Sequence, residues 1–162
     1  MRPIIALVGR SNSGKTMLLE KLIPALEEKG YRVGVIKHTT GRYPLDKEGK
    51  DSWRFAQAGA KTVAFSTPDG FALMRYAPWD LNEIAKLMPG MDLVLAEGHK
   101  GGSYPKIIVH RPGVGDPPEL TDPIIATVGS LTLDQVPSFK HEDIDGIVAF
   151  IMARVGPPSQ QE

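Results

Sequence analysis

The sequence predicts a three-layer α/β domain whose mainly parallel sheet carries an antiparallel hairpin addition. Three observations predict it. Short continuous apolar runs have the pattern of strands buried on both faces. These runs alternate with stretches of helical periodicity, as in α/β folds. One pair of runs flanks Pro68-Asp69-Gly70, a turn signal that makes them a hairpin.

Taken in order, Ile4 to Val8 is the first strand. Lys15 to Lys29 reads as a helix, with Leu18, Leu22 and Leu26 in one row and Leu19 and Ile23 beside it. Gly30 is placed to end it, and Pro24 inside it predicts a kink or an opened turn. Val33 to Lys37 is a second strand, and Ser52 to Ala58 a short helix capped by Asp51 or Ser52. Thr62 to Ser66 and Phe71 to Tyr76 are the hairpin arms. Asp80, with Glu83 three residues on, gives a capping-box start to a helix through Met88. Leu93 to Ala96, Lys106 to His110 and Ile124 to Val128 are further strands. Ile144, Ile147, Val148, Ile151, Met152 and Val155 then recur at helical spacing. Gly98 to Pro105 and Arg111 to Pro118 are loops rich in glycine and proline. One domain over residues 1–156 and a flexible tail over 157–162 are expected.

Composition removes several function classes. Lysine plus arginine equals aspartate plus glutamate at 19 each, so no global field draws the chain to nucleic acid or an anionic membrane. There is no cysteine, which excludes disulfides, thiolate metal sites and a cysteine nucleophile. No apolar run reaches membrane-spanning length, and the first is shorter than a secretory leader's core. A cytoplasmic protein is expected.

GRSNSGKT, Gly9 to Thr16, satisfies the spacing G-x-x-x-x-G-K-[ST] of a phosphate loop, between a buried strand and an amphipathic helix. The glycines let successive N–H groups of Gly9, Arg10, Ser11, Asn12, Ser13 and Gly14 turn inward on phosphate oxygens. Lys15 reaches the β- and γ-phosphates, and Thr16 offers its hydroxyl to Mg²⁺. A chance match in a chain this long is expected in under about one case in a hundred. The fold class is therefore P-loop NTPase-like.

DLVLAEG, Asp92 to Gly98, is an apolar strand ending in an acid. Ligands in α/β sheets lie beyond the carboxyl ends of strands, which is the end of Glu97, whereas Asp92 reads as a strand-start residue. Lys37 and His38 stand at the same end of the second strand, and Ile125 to Ser130 at that of the last. Asp46, Lys50, Asp51 and Ser52 lie in the polar loop where many phosphate-loop proteins keep a metal-contacting or switch acid. That loop also reads as a solvated connection, with Asp51 and Ser52 as helix caps.

Together GRSNSGKT, KHTTGRYPLDKEGKDSWRFAQAGA and DLVLAEGHKGGSYPKIIVHR resemble the molybdopterin-guanine dinucleotide biosynthesis protein B family, over Pro3 to about Ile151. The resemblance implies a weak, Mg²⁺-dependent GTPase, usually a homodimer, whose hairpin extends the sheet and builds the dimer. It implies a partner, the guanylyltransferase that attaches GMP to molybdopterin, and contact with molybdopterin or the molybdenum cofactor itself. Carried over by position, Gly9 to Thr16 bind the phosphates, Thr16 and Glu97 serve Mg²⁺, and Glu97 and Lys15 serve hydrolysis. Lys37, His38, Asp46, Lys50, Asp51, Lys100 and Lys106 line the rest of the site. Two departures stand out. Thr40, Gly41 and Arg42 occupy places where family members often carry further histidine or acid, and no Asn-Lys-x-Asp guanine signature occurs. A small-molecule kinase and a metallochaperone-type GTPase share the loop and stay open. The scattered Arg42, Arg54, Arg111 and Arg154 form no lid, and four dispersed histidines form no metal tract.

Overall fold

The computed structural model describes residues 3–41, 43–117, 119 and 121–159. Arg42, Pro118 and the end of the expected tail lie outside them. The elements in chain order are β1 (Ile4–Val8), α1 (Lys15–Glu28), β2 (Val33–Lys37), α2 (Asp51–Gln57), β3 (Thr62–Thr67) and β4 (Gly70–Arg75). There follow α3 (Leu81–Lys86), β5 (Leu93–Glu97), β6 (Lys106–His110), β7 (Ile124–Gly129), β8 (Ser138–Phe139) and α4 (Ile144–Val155). They fall into two compact units, Met1–His38 with Leu81–Glu162, and Thr39–Asp80.

The larger unit is built on a six-stranded sheet in the order β2-β5-β1-β6-β7-β8, parallel throughout. Its central strands are apolar on both faces because helices cover both. Ile5, Leu7, Leu93, Leu95, Ile107 and Val109 point into one core with Leu18, Leu22 and Leu26 of α1 and Ile147 and Ile151 of α4. The alternate positions Ile4, Ala6, Val8, Val94, Ala96 and Ile108 form the other, with Leu81 and Ala85 of α3.

Several details depart from the sequence reading. α1 runs through Pro24 to Glu28, since Pro24 sits on the exposed face, where water can take up the carbonyl it leaves unpaired. Gly30 does end the helix, at a φ of 85°. α3 stops at Lys86, short of Met88. β8 is two residues long, below the reach of any periodicity in the sequence. Beyond α4 the chain holds partners as far as Ser159. The Tyr31 hydroxyl donates to the Gly156 carbonyl, and the Ser159 N–H to Asp92 Oδ1 at 3.0 Å.

In the smaller unit β3 and β4 pair antiparallel from Thr62↔Arg75 to Thr67↔Gly70, forming a two-stranded sheet of their own. α2 begins at Asp51 with Lys50 at the capping position and no side-chain cap. Asp51 therefore does not cap; its carboxylate lies 3.6 Å from Arg54, one turn on.

Candidate nucleotide-binding site

β1 ends at Val8, in the middle of the sheet, so the loop that follows opens at its carboxyl edge. Gly9 is there for space. A Cβ on it would lie 2.2 Å from the Val109 carbonyl and 2.6 Å from Ser13 Oγ, closer than any side chain tolerates. Lys15 folds back across the loop, its ammonium donating to the carbonyls of Gly9 at 3.0 Å and Arg10 at 2.7 Å. Burial pulls the Lys15 pKa below its ordinary value; Glu97 opposes that shift, while Lys100 and Lys37 add to it. Lys15 thus has two ammonium groups against one carboxylate around it, an arrangement that an anion would relieve.

Thr16, first turn of α1, donates from Oγ1 to Glu97 Oε1 at 3.1 Å. The strand register makes this meeting possible. Glu97 stands opposite Leu7 on one side and Lys37 on the other, all at the same edge of the sheet. The turn after it needs glycine, because Gly98 has a φ of 87° and a Cβ there would meet the His38 carbonyl at 2.6 Å. His38 donates its N–H to the Glu97 carbonyl at 2.8 Å and meets the His99 ring edge-on at 4.8 Å. His99 also meets Tyr104 edge-on at 5.5 Å. Burial, with the nearby His38 and Lys106, lowers the His99 pKa from 6.5 and favours the neutral ring.

Lys106 departs from the role carried over to it. It starts β6 beside Ala6, on the covered face of the sheet, and is 1% exposed. Its ammonium is taken up by the carbonyls of Gly102, Tyr104 and Asp122 at 2.8, 3.2 and 3.3 Å. All three donors are engaged, so it holds two loops together and has none left for a phosphate. Asp46, Lys50 and Asp51 belong to the smaller unit. There Asp46 Oδ1 accepts from the Lys47 N–H at 2.7 Å, and its other oxygen is buried without a partner among the described residues.

On the β6–β8 side the loop meets residues that the carried-over site does not include. His141, just past β8, places Nε2 3.2 Å from the Ser13 carbonyl and so braces the loop from a position 128 residues away. Arg10 donates from Nε to the Asp116 carbonyl. His110 Nε2 lies 3.0 Å from the Gly115 carbonyl, which makes that nitrogen the donor, and Nδ1 lies 2.9 Å from Ser130 Oγ. The signal for these residues was positional. His110 ends β6 and His141 follows β8, both at the ligand edge of the sheet.

The match to known proteins covers the same ground. The model of the family described as molybdopterin guanine dinucleotide synthesis protein B matches residues 4–130. The chain belongs to that family. Among relatives, the molybdopterin-guanine dinucleotide biosynthesis adapter protein of Escherichia coli K12 is 36% identical over 162 residues, 94% of this chain and 93% of that one. The adapter protein of Haemophilus influenzae is 40% identical over 137 residues, 82% of this chain and 77% of the relative. The crystal structure of Bacillus subtilis MobB aligns with a TM-score of 0.72 at 28% identity, over 91% of this chain and 97% of that one. Family and fold are thus those that the three quoted stretches implied. Among the described residues no helix is long and apolar enough to cross a membrane.

Proposed function

We propose that this chain is a GTP-binding adapter of molybdopterin guanine dinucleotide synthesis, with slow Mg²⁺-dependent hydrolysis. It acts beside the guanylyltransferase, in the cytoplasm, as a homodimer. The observation that carries the nucleotide reading is the Thr16 Oγ1–Glu97 Oε1 pair at 3.1 Å, beside a loop lysine that shares its field with Lys37 and Lys100.

Hard oxygen donors suit Mg²⁺, and Thr16 and Glu97 are the residues that would hold it. When bound, the ion supplies neutralising charge at the β- and γ-oxygens. The chain's own residues do the rest. The loop N–H groups and Lys15 orient the phosphates, with Lys15 exchanging the Gly9 and Arg10 carbonyls for phosphate oxygens. Lys37 and Lys100 add charge where the phosphates end, and Glu97, placed at the rim, orients an attacking water. With lysines supplying that charge among the described residues, slow turnover is expected.

The names of the relatives support the adapter role, and the excess of positive charge fits two anionic partners, GTP and the phosphate end of molybdopterin. Capture of the guanylyltransferase by the immobilised full chain tests it. Retention that rises when GTP and Mg²⁺ are added is the expected result. Equal absence of retention with and without GTP would overturn the adapter role.

A further inference from the structure

Two hollows lie on the β6–β8 side, and one of them reaches the phosphate loop. One, of about 260 Å³, is bounded by Gly14 of the loop and by Met17 and Lys21 of α1. The other, of about 240 Å³, is bounded by His110, Gly129 and Ser130 at the ends of β6 and β7. Arg111, His141 and Glu142 line both, forming a shared wall. Each hollow lies just below the roughly 300–1,000 Å³ range of small-ligand sites, room for part of a ligand such as a base. The Thr16–Glu97 pair lies on the opposite, β5 side of β1, so the far end of a nucleotide held by the loop has this side to occupy.

Glu142 is singled out by what it does not do. Its neighbour Asp143 is employed by the fold, accepting the Gly146 N–H at 3.1 Å to cap α4. The Glu142 backbone carbonyl accepts the Ile144 N–H, but its carboxylate makes no hydrogen bond or ion pair among the described residues. An acid with no structural employment, on a wall common to two hollows beside a phosphate loop, has a ligand-reading task available to it.

Resting on the nucleotide reading above, we infer that Glu142 is the residue that selects guanine. A carboxylate has only acceptors. Guanine presents two adjacent donors, N1–H and the 2-amino group, which one carboxylate can take together. Adenine presents N1, an acceptor, in the same place, and a carboxylate repels it. Arg111, on the same wall, supplies the donors that guanine O6 and N7 require. The missing Asn-Lys-x-Asp signature is replaced by an acid that enters from the turn after β8.

Calorimetric titration of the full chain with GTP, ITP and XTP in Mg²⁺ tests this. ITP, lacking the 2-amino group, should bind the unsubstituted chain about tenfold more weakly than GTP. In Glu142→Gln the amide can still accept N1–H but turns a donor toward the 2-position, which suits the xanthine carbonyl. GTP should weaken by about tenfold or more and XTP tighten, so that the order reverses. Because the side chain is exposed and unpaired, the thermal midpoint without nucleotide should not move. A Glu142→Gln chain that keeps GTP ahead of XTP with unchanged affinity overturns the assignment and leaves the nucleotide reading standing. A chain that binds no guanine nucleotide at all before substitution overturns both.

Discussion

Asp92 immediately precedes β5 and Glu97 ends it, and the two acids are employed differently because their neighbours differ. Asp92 is buried and accepts from the backbone N–H of Arg32 at 2.8 Å, from its Nε at 3.1 Å and from its Nη2 at 3.2 Å, as well as from Ser159. The Arg32 guanidinium holds its carboxyl well below the usual carboxylate range; burial works the other way, and the two backbone N–H groups add to the lowering. A depressed acid stabilises the fold fully above its unfolded pKa, near 4, and that contribution is lost as the pH falls below it. Asp92→Ala should cost about 2 kcal/mol at pH 7, a figure kept modest because the Arg32 side chain is 40% exposed. Chemical denaturation at pH 7 and pH 3 checks it: the gap between the two chains should shrink at pH 3, and an unchanged gap would refute the pairing. Lys106 teaches the same lesson from the other side. The family resemblance implies a place for it in the lining of the site, and only the structure shows three carbonyls around its ammonium.

At the scale of elements, what was legible followed from burial. Strands covered on both faces must be continuously apolar, so β1, β5, β6 and β7 could be placed within a residue or two. The phosphate loop and the strand-end position of Glu97 were legible for a related reason, since a strand, a turn and a helix each leave their own pattern. β8 and the turn that carries His141 and Glu142 left none, because two residues have no period. Strand order was equally hidden, and with it the fact that β2 and β5 flank the loop on one side and β6 to β8 on the other. The hairpin is the element whose surroundings are least complete. Phe65 and Phe71 are 57% and 75% exposed, on opposite faces of the β3–β4 ribbon, and Leu73 shares the face of Phe71. A two-stranded ribbon with apolar residues bare on both faces is marginal alone, which is the physical support for the proposed homodimer. Sedimentation should show a dimer at tens of micromolar. A chain carrying both Phe65→Asp and Phe71→Asp should sediment as a monomer. A monomeric unsubstituted chain, or a substituted one that still pairs, would contradict this use of the hairpin.

Across the whole molecule, one edge of the parallel sheet gathers the candidate site residues. The loop after β1 lies at its centre, Glu97 and Lys37 lie to one side, and the two hollows with Glu142 lie to the other. The opposite edge is occupied by structural work, with Asp92 tying Arg32 to the chain beyond α4. Parallel strands all end at one edge, so residues far apart in sequence arrive together there. We propose that this edge holds GTP. The most direct test is calorimetric titration of the full chain with GTP and with ATP in Mg²⁺, repeated on Lys15→Ala. The unsubstituted chain should bind GTP about tenfold or more tightly over ATP. Lys15→Ala should bind neither while melting within a few degrees of the parent, since that side chain reaches carbonyls of its own loop and not the core. Failure to bind GTP, a clear preference for ATP, or normal GTP binding by Lys15→Ala would contradict the account.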